Sequence, residues 1–246
     1  MKIIDAVWDN EVLGVKSVEV RCDTSDSLDS LLGYLRDLET SHGYIVVKSS
    51  VSNREIIEHI PEIGFKFIET LIAVERSVKA ETIESRLAKR SEGLITKEAT
   101  EDEIAYVFDQ IMMGIFSTDR ISLDEKFGPL VGAKRYCNWI ESEVSLGGSV
   151  YSVALASGTK LGFFTLRVTE QGIAHSVLSG LFDGASTPGF GLVLLSLILK
   201  KAEENGAKKI VSTISSNNLP VVRTHVQLGF EIRDMSYVYV RHSSKD

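Results

Sequence analysis

The most informative part of the sequence consists of two consecutive segments, Ser176-Val-Leu-Ser-Gly-Leu-Phe182 and Asp183-Gly-Ala-Ser-Thr-Pro-Gly-Phe-Gly191. The first has the apolar composition of a strand, and the second is a glycine-rich loop before the helical pattern Leu192–Glu204. Glycines at a helix start leave backbone N–H groups free beside the positive end of the helix dipole, which suits a phosphate or pyrophosphate. The loop has neither the Gly-Lys-Ser/Thr of a P-loop nor the GxGxxG spacing, so a tight turn without a ligand is the alternative interpretation.

The chain on both sides of this loop predicts strands and short helices. Downstream lie a strand, Lys209–Ile214, and a short helix within Asn218-Leu-Pro-Val-Val-Arg-Thr-His-Val-Gln-Leu-Gly-Phe230. Antiparallel strands followed by strand, loop, helix and strand predict a mixed α/β fold with a mostly antiparallel central sheet, not a doubly wound parallel sheet. The strand-like runs before the loop are Val12–Val20, Ser149–Ala156, Lys160–Val168 and Gln171–Phe182.

An internal repeat relates the two halves of the chain. A shift of 165 residues aligns a strand, an asparagine before a helix, and a Gly-Phe pair. The residues of the first copy are Ile45-Val46, Ser50, Asn53 and Gly64-Phe65. They align, in the same order, with Ile210-Val211, Ser215, Asn218 and Gly229-Phe230. Residues 77–92 are charged and poor in large apolar side chains, so we predict a partial copy over 1–85 and a full domain over 93–246. Chance likeness of strand–helix–strand units is the alternative. Since the first copy has no glycine-rich loop, we expect a ligand site only in the second.

Composition and charge narrow the classes of function. The 246 residues carry 27 Lys+Arg against 34 Asp+Glu, a net charge of −7, and 43% are hydrophobic. The hydrophobic share indicates a folded globular chain. The net negative charge argues against nucleic acid as the main partner. Cys22 and Cys137 have no metal-ligand spacing, so we expect no disulfide and no metal site. We expect no membrane span and a cytoplasmic location, because no apolar run is long enough to cross a bilayer.

The order of these motifs resembles the coenzyme A-binding core of the GNAT N-acyltransferases over roughly residues 95–241. Their loop is usually Q/R-x-x-G-x-G/A, and Ser186-Thr-Pro-Gly-Phe-Gly191 keeps both glycines but has Ser in place of the leading Gln or Arg. Their last helix is usually N-x-x-A-x-x-x-Y-x-x-x-G-F, and here His225 stands where most members have Tyr. The resemblance implies a GNAT fold, preceded by an N-terminal partial GNAT-like domain.

Three further stretches resemble the branch that contains TDP-fucosamine acetyltransferase. Its opening W-D-S/T-x-F-F-G-V is similar to Trp8-Asp-Asn-Glu-Val-Leu-Gly-Val15, with Val12-Leu13 in place of the aromatic pair. Its middle signature, F-x-x-(D)-R before R-Y-x-x-W, is similar to Phe116-Ser-Thr-Asp-Arg-Ile-Ser-Leu-Asp124 and Arg135-Tyr-Cys-Asn-Trp139. The resemblance implies N-acylation of a nucleotide-linked amino-dideoxy sugar in surface-polysaccharide or O-antigen synthesis.

The donor implied by the resemblance is acetyl-CoA or a longer acyl-CoA, without a metal. Its pyrophosphate would lie on the N–H groups of Gly189, Phe190 and Gly191, and its pantetheine arm would pair beside Leu181, Phe182 and Asp183 like an added strand. Asn218 is assigned to the same site. His225 is the candidate general acid for the leaving thiolate, and packing or a bond to a backbone carbonyl is the alternative.

For the acceptor, Arg120 and Arg135 are candidates to hold the nucleotide diphosphate, and Tyr136 and Trp139 to stack on a base or sugar. An ion pair between Asp119 and Arg120, with the aromatic rings in the core, is the alternative. The full acceptor set is Asp119, Arg120, Arg135, Tyr136, Trp139 and His175.

Two other functions and one assembly state stay open. A GNAT enzyme for another small amine or a peptide N-terminus is one alternative, and a coenzyme A-binding module without catalysis is the other. The alternating apolar pattern of Phe230–Val240 suggests a sheet edge that pairs with a second copy, so a homodimer is a hypothesis.

Overall fold

The computed structural model describes residues 1–78, 85–185 and 188–243. The strands in these residues are β1 (Lys2–Asp5), β2 (Ser17–Cys22), β3 (Tyr44–Ser50), β4 (Lys66–Ser77), β5 (Leu94–Glu98), β6 (Ser149–Leu155), β7 (Lys160–Val168), β8 (Ile173–His175), β9 (Ser179–Leu181), β10 (Lys209–Ser215) and β11 (Glu231–His242). The helices are α1 (Val7–Leu13), α2 (Leu28–Ser41), α3 (Arg54–His59), α4 (Ser85–Arg90), α5 (Glu101–Met112), α6 (Gly128–Ser145), α7 (Phe190–Glu204) and α8 (Leu219–Gln227), with a 3-10 turn over Ile60–Ile63.

The described strands form one sheet in the order β1-β2-β3-β11-β4-β10-β8-β7-β6-β5, and β9 extends the pairing with β7. Two neighbouring pairs are parallel, β2 with β3 and β8 with β10. The other pairs are antiparallel. This arrangement confirms the predicted mixed α/β fold with a mostly antiparallel sheet.

The two halves of the chain exchange strands. Adding 165 to the bounds of β3 and β4 gives the bounds of β10 and β11. Strand β4 lies between β10 and β11, while β11 lies between β3 and β4, so each half contributes a strand to the other. The division into 1–85 and 93–246 stays a prediction, and the sheet is continuous across it.

Equivalent residues shape both copies of the repeat. Asn53 and Asn218 each accept a hydrogen bond at the helix start, from Ile56 N and Val221 N respectively. Both Gly64 and Gly229 have positive φ, at 85° and 71°, and so turn the chain into the following strand.

Helices cover both faces of the sheet. Because successive side chains of a strand point to opposite faces, the sheet contributes to a hydrophobic core on each face. Side chains on one face pack against α7 and α8, with Phe164 and Ile72 among them. On the other face Phe163 packs against α5 and α6, and Val238 packs near Ile121 in the segment before α6. We call this second side of the sheet the α6 face.

Thr100 and Glu103 form a capping box at the start of α5. Three sequence expectations differ from the observed elements. The strand expected over Val12–Val20 is wrong in its first part, because α1 runs to Leu13 and packs it into the core. The strand expected over Gln171–Phe182 is two strands, whose registers against β7 differ by one residue.

The predicted free edge at Phe230–Val240 is also wrong, because β11 pairs with β3 and β4 on both sides over Ser236–Val240. No helix of the described residues combines the length and apolar character that a bilayer span needs.

Candidate active site

The parallel strands β8 and β10 separate within the sheet. They pair only at Ile173–Lys209, Ala174–Ile210 and His175–Val211. Past this point β10 continues beside β4, and β9 stays with β7. Ser212 Oγ donates to the Ser176 carbonyl at 3.4 Å where the strands part. In the first half of the chain the corresponding pair, β2 and β3, stays in register over all six residues of β2, so the opening exists only in the second half.

Strand β9 presents to this opening peptide groups that are not paired with any described residue. Phe182 N donates to Leu161 O, and Thr165 N donates to Leu178 O, so the even-numbered residues bond to β7. Because peptide groups alternate in direction along a strand, those of Ser179 and Leu181 point towards β10. An extended amide chain can pair with them as an added strand.

The N-terminus of α7 follows the opening. Gly189 is its N-cap residue with φ +82°, and no side chain of the described residues caps the helix. Within those residues, the N–H groups of Phe190 and Gly191 therefore start the helix without a side-chain acceptor. Asp183 is exposed in the loop and Phe182 is buried beneath it. Ser186, where the GNAT motif has Gln or Arg, lies outside the described residues.

A cation that the sequence interpretation missed lies against this loop. Arg90, the last residue of α4, donates from Nη2 to the Pro188 carbonyl at 3.2 Å. A Cβ on Gly189 would be 2.6 Å from Arg90 Nη1, so the glycine leaves room for the guanidinium. Arg90 lies in the charged run 77–92, a composition typical of a linker or a surface helix, and its sequence context contains no signal for this contact.

Helix α8 carries Asn218 and His225. The Asn218 side chain is used as the N-cap. His225 is 8% exposed, its Nδ1 lies 2.9 Å from Val221 O, and its ring lies 4.6 Å from Phe230. A carbonyl can only accept, so Nδ1 carries the proton, and burial lowers the pKa of His225. The ring is therefore neutral near pH 7, with a free lone pair on Nε2.

Asp9 of α1 is the counterion of Arg120 and Arg135, the two arginines predicted to bind the acceptor. Its carboxylate accepts from Arg135 Nε at 2.7 Å and from Arg120 Nη2 at 3.2 Å, and it is completely buried. Burial disfavours the charge of Arg120, but the acidic groups of Tyr44, Asp9 and others raise its pKa. The pKa of Arg135 is lowered by burial and then by Arg120.

The remaining acceptor candidates lie around this ion pair, apart from one. Asp119 accepts from Ile121 N at 2.9 Å and from Ser122, and so holds a turn. The Arg135 guanidinium stacks 4.0 Å above the Trp139 ring, and Tyr136 lies 5.4 Å from the same ring. The structure thus groups Asp119, Arg120, Arg135, Tyr136 and Trp139, in largely buried positions.

His175 lies apart from this group, at the point where β8 and β10 part. It is paired with Arg167 of β7, and its pKa is lowered by burial and then by that arginine.

A buried carboxylate of β4 was also missed. Glu69 is 3% exposed, and none of the described residues donates a hydrogen bond to it or forms an ion pair with it within 4.0 Å. It pairs with Val238 of β11, so it is on the α6 face. An acidic residue inside the apolar strand Phe67-Ile-Glu-Thr-Leu-Ile72 was the available sequence signal. In the described part of the chain, no three His, Cys, Asp or Glu side chains are grouped as metal ligands.

Solved structures share this architecture. A conserved protein of unknown function from Staphylococcus epidermidis is 12% identical, with 93% of this chain and 85% of that chain covered and a TM-score of 0.66. A GCN5-related N-acetyltransferase from Sphaerobacter thermophilus is 9% identical over 98% and 75%, with a TM-score of 0.64. A tandem GNAT protein of clavulanic acid biosynthesis is 14% identical over 89% and 70%, with a TM-score of 0.54.

The fold is that of the GCN5-related N-acetyltransferases, the GNATs. No family model and no curated protein matches the sequence. The predicted GNAT fold is confirmed, and the opening between β9 and β10 with the N-terminus of α7 is its candidate active site.

Proposed function

We propose that this chain is a GNAT-type acyl-CoA-dependent N-acyltransferase of enzyme class 2.3.1. The observation that carries the proposal is the opening between β9 and β10, which is followed along the chain by the N-terminus of α7, where none of the described side chains caps the helix. A free strand edge and a set of free N–H groups in succession suit a ligand with an amide chain at one end and a diphosphate at the other.

The described residues fit coenzyme A at this place. The peptide groups of Leu181 and Ser179 would pair with the pantetheine arm, and the N–H groups of Phe190 and Gly191 would hold the pyrophosphate. Arg90 supplies a positive charge beside them, which compensates for the absent Gln or Arg of the loop motif. The thioester would then lie in the opening, beside the Phe116 ring that packs on β9.

The acceptor that we propose is the amine of a nucleotide-linked, dTDP-type amino-dideoxy sugar, as used in surface polysaccharide and O-antigen synthesis. Support comes from the resemblance of Phe116–Asp124 and Arg135–Trp139 to that branch. Phe116 lies against β9, since a Cβ on Gly180 would be 2.9 Å from its Cζ, and its ring is 4.8 Å from Tyr136. These residues therefore form a wall beside the opening. Binding of a diphosphate by Arg120 and Arg135 requires them to leave Asp9.

His225 is the proposed proton carrier on the donor side. Its free Nε2 must first accept a proton, which the attacking nitrogen releases, before it can protonate the thiolate. The bond from Nδ1 to Val221 also favours a second candidate function, a coenzyme A-binding module without catalysis, because it is the contact expected of a purely structural histidine.

A thiol-release assay tests the proposal. Purified protein is given acetyl-CoA and longer acyl-CoAs against dTDP- and UDP-linked 3-amino and 4-amino dideoxy sugars, with glucosamine and a peptide N-terminus as other amines. Free thiol with one sugar class only is the expected result. Release with another amine alone replaces the acceptor, and coenzyme A binding without release favours the binding module.

A further inference from the structure

The Glu69 carboxylate lies on the acceptor side of the opening. Strand β4 follows β10 to its end, where Leu71 pairs with Ser215. Beyond this pair, Ser216 N donates to Thr70 O at 2.8 Å, and Thr70 N donates to Ser216 Oγ at 2.9 Å. Glu69 is therefore beside the end of β10, on the face opposite to α7. The donor loop and this carboxylate are on opposite sides of the sheet.

Glu69 also belongs to the surroundings of the acceptor wall. Its negative charge contributes to raising the pKa of both Arg120 and Tyr136. Tyr136 in turn contacts Phe116, which packs on β9. The carboxylate is thus on one side of the opening and the Phe116 ring is on the other.

The cations nearest to Glu69 are bound to other carboxylates. Arg120 and Arg135 share Asp9, and Lys48 and Arg21 both bind Glu19. Glu69 has no such partner among the described residues, although it is 3% exposed. A largely buried carboxylate without a donor is unfavourable unless a cation or a hydrogen-bond donor joins it.

We propose that Glu69 binds the primary ammonium group of the acceptor and accepts one of its protons. Its catalytic role rests on the proposed acyl transfer, but the ammonium site itself does not. One N–H proton passes to the carboxylate, and the nitrogen lone pair forms the C–N bond with the thioester carbonyl carbon. The C–S bond breaks, and the second proton that nitrogen loses reaches the thiolate, directly or through Nε2 of His225. Glu69 then returns its proton to solvent.

This assignment gives the N-terminal half of the chain a part in catalysis. Glu69 lies on β4, the strand that the first half contributes between β10 and β11. The opening of the second half would then lack its acceptor carboxylate without the exchanged strand.

A binding experiment tests the ammonium site without any assumption about turnover. In protein labelled with ¹³C-carboxyl glutamate, the resonance of Glu69 is the one that disappears in Glu69→Gln. Ethylammonium chloride is expected to shift it saturably, and sodium chloride at equal ionic strength is not. No shift, or the same shift with sodium chloride, would overturn the proposal.

Kinetics test the catalytic part of the same proposal. With the best acceptor of the panel, Glu69→Gln should lower kcat/KM for the amine by about 100-fold or more, as for the loss of a proton-transfer group. The KM for acetyl-CoA should stay within about twofold, since the carboxylate is on the other face. Glu69→Asp should restore part of the activity and replaces Glu69→Gln if that variant does not fold.

Glu75→Gln is the matched control. It makes the same change on the same strand at a carboxylate that is bound to Lys209 and Arg233, beside Val211 in the paired part of β8 and β10. Equal losses in the two glutamine variants, or a Glu69→Gln defect only in acetyl-CoA affinity or stability, would show a structural role. If the wild-type protein neither binds acetyl-CoA nor releases thiol, the proposed function fails, and the ammonium titration still decides the site.

Discussion

Replacement of Asp9 by Asn should strongly destabilise the protein. The carboxylate is completely buried and bound at 2.7 and 3.2 Å to Arg135 and Arg120. At an effective dielectric constant of about 20, these separations correspond to gross attractions of roughly 6 and 5 kcal/mol. Desolvation offsets much of this, and removal of one partner from a buried pair typically costs about 3–5 kcal/mol. We expect that loss, because the variant leaves two buried guanidinium groups without their shared anion.

The assay is thermal and urea unfolding followed by circular dichroism. For a chain of this length each kcal/mol lowers the Tm by roughly 2–4 °C, so a decrease of about 6–20 °C is expected. Glu58→Gln is the control, because its pair with Arg54 is exposed on both sides and should contribute less than about 1 kcal/mol. A loss below about 1 kcal/mol in Asp9→Asn would refute the reasoning that this ion pair connects the first half of the chain to α6.

Three further perturbations have defined outcomes. Gly189→Ala should weaken coenzyme A binding in calorimetry, because its Cβ would meet Arg90, whereas Gly206→Ala, with a similar positive φ and open space, should strain the backbone and keep the affinity. Because the pKa of His225 is lowered in the folded protein, the unfolded chain binds a proton first as pH falls below about 6.5. The free energy of unfolding should therefore fall there by up to about 1.4 kcal/mol per pH unit. His225→Asn should reduce this slope in urea titrations, and an unchanged slope would exclude His225 as its cause. Burial raises the pKa of the Cys137 thiol to about 11, so iodoacetamide at pH 7.5 should label it in urea but not in the native protein, and rapid native labelling would contradict its placement.

Local signals in the sequence predicted the second half well. Asn218 and Gly229 bracket α8 at its observed bounds, because capping and turn residues act through their immediate neighbours. The same logic failed at Val12–Val20, where β-branched residues favoured a strand but burial of Leu13 beneath the sheet favours a helix.

Long-range contacts could not be predicted in this way. The arginines were identified as functional candidates, but their partner Asp9 is 111 and 126 residues away in sequence. The exchange of β4 and β11 places Glu69 of the first half beside the opening of the second. Neither motif spacing nor periodicity contains that pairing, since both describe only neighbours along the chain.

The central claim is that the opening between β9 and β10 binds an acyl-CoA. Isothermal titration of the wild-type protein with acetyl-CoA tests it most directly, before any acceptor is known. We predict saturable binding at one site per chain, weakened in Gly189→Ala and kept in Gly206→Ala. No binding of acetyl-CoA or of longer acyl-CoAs by the folded protein would contradict the account.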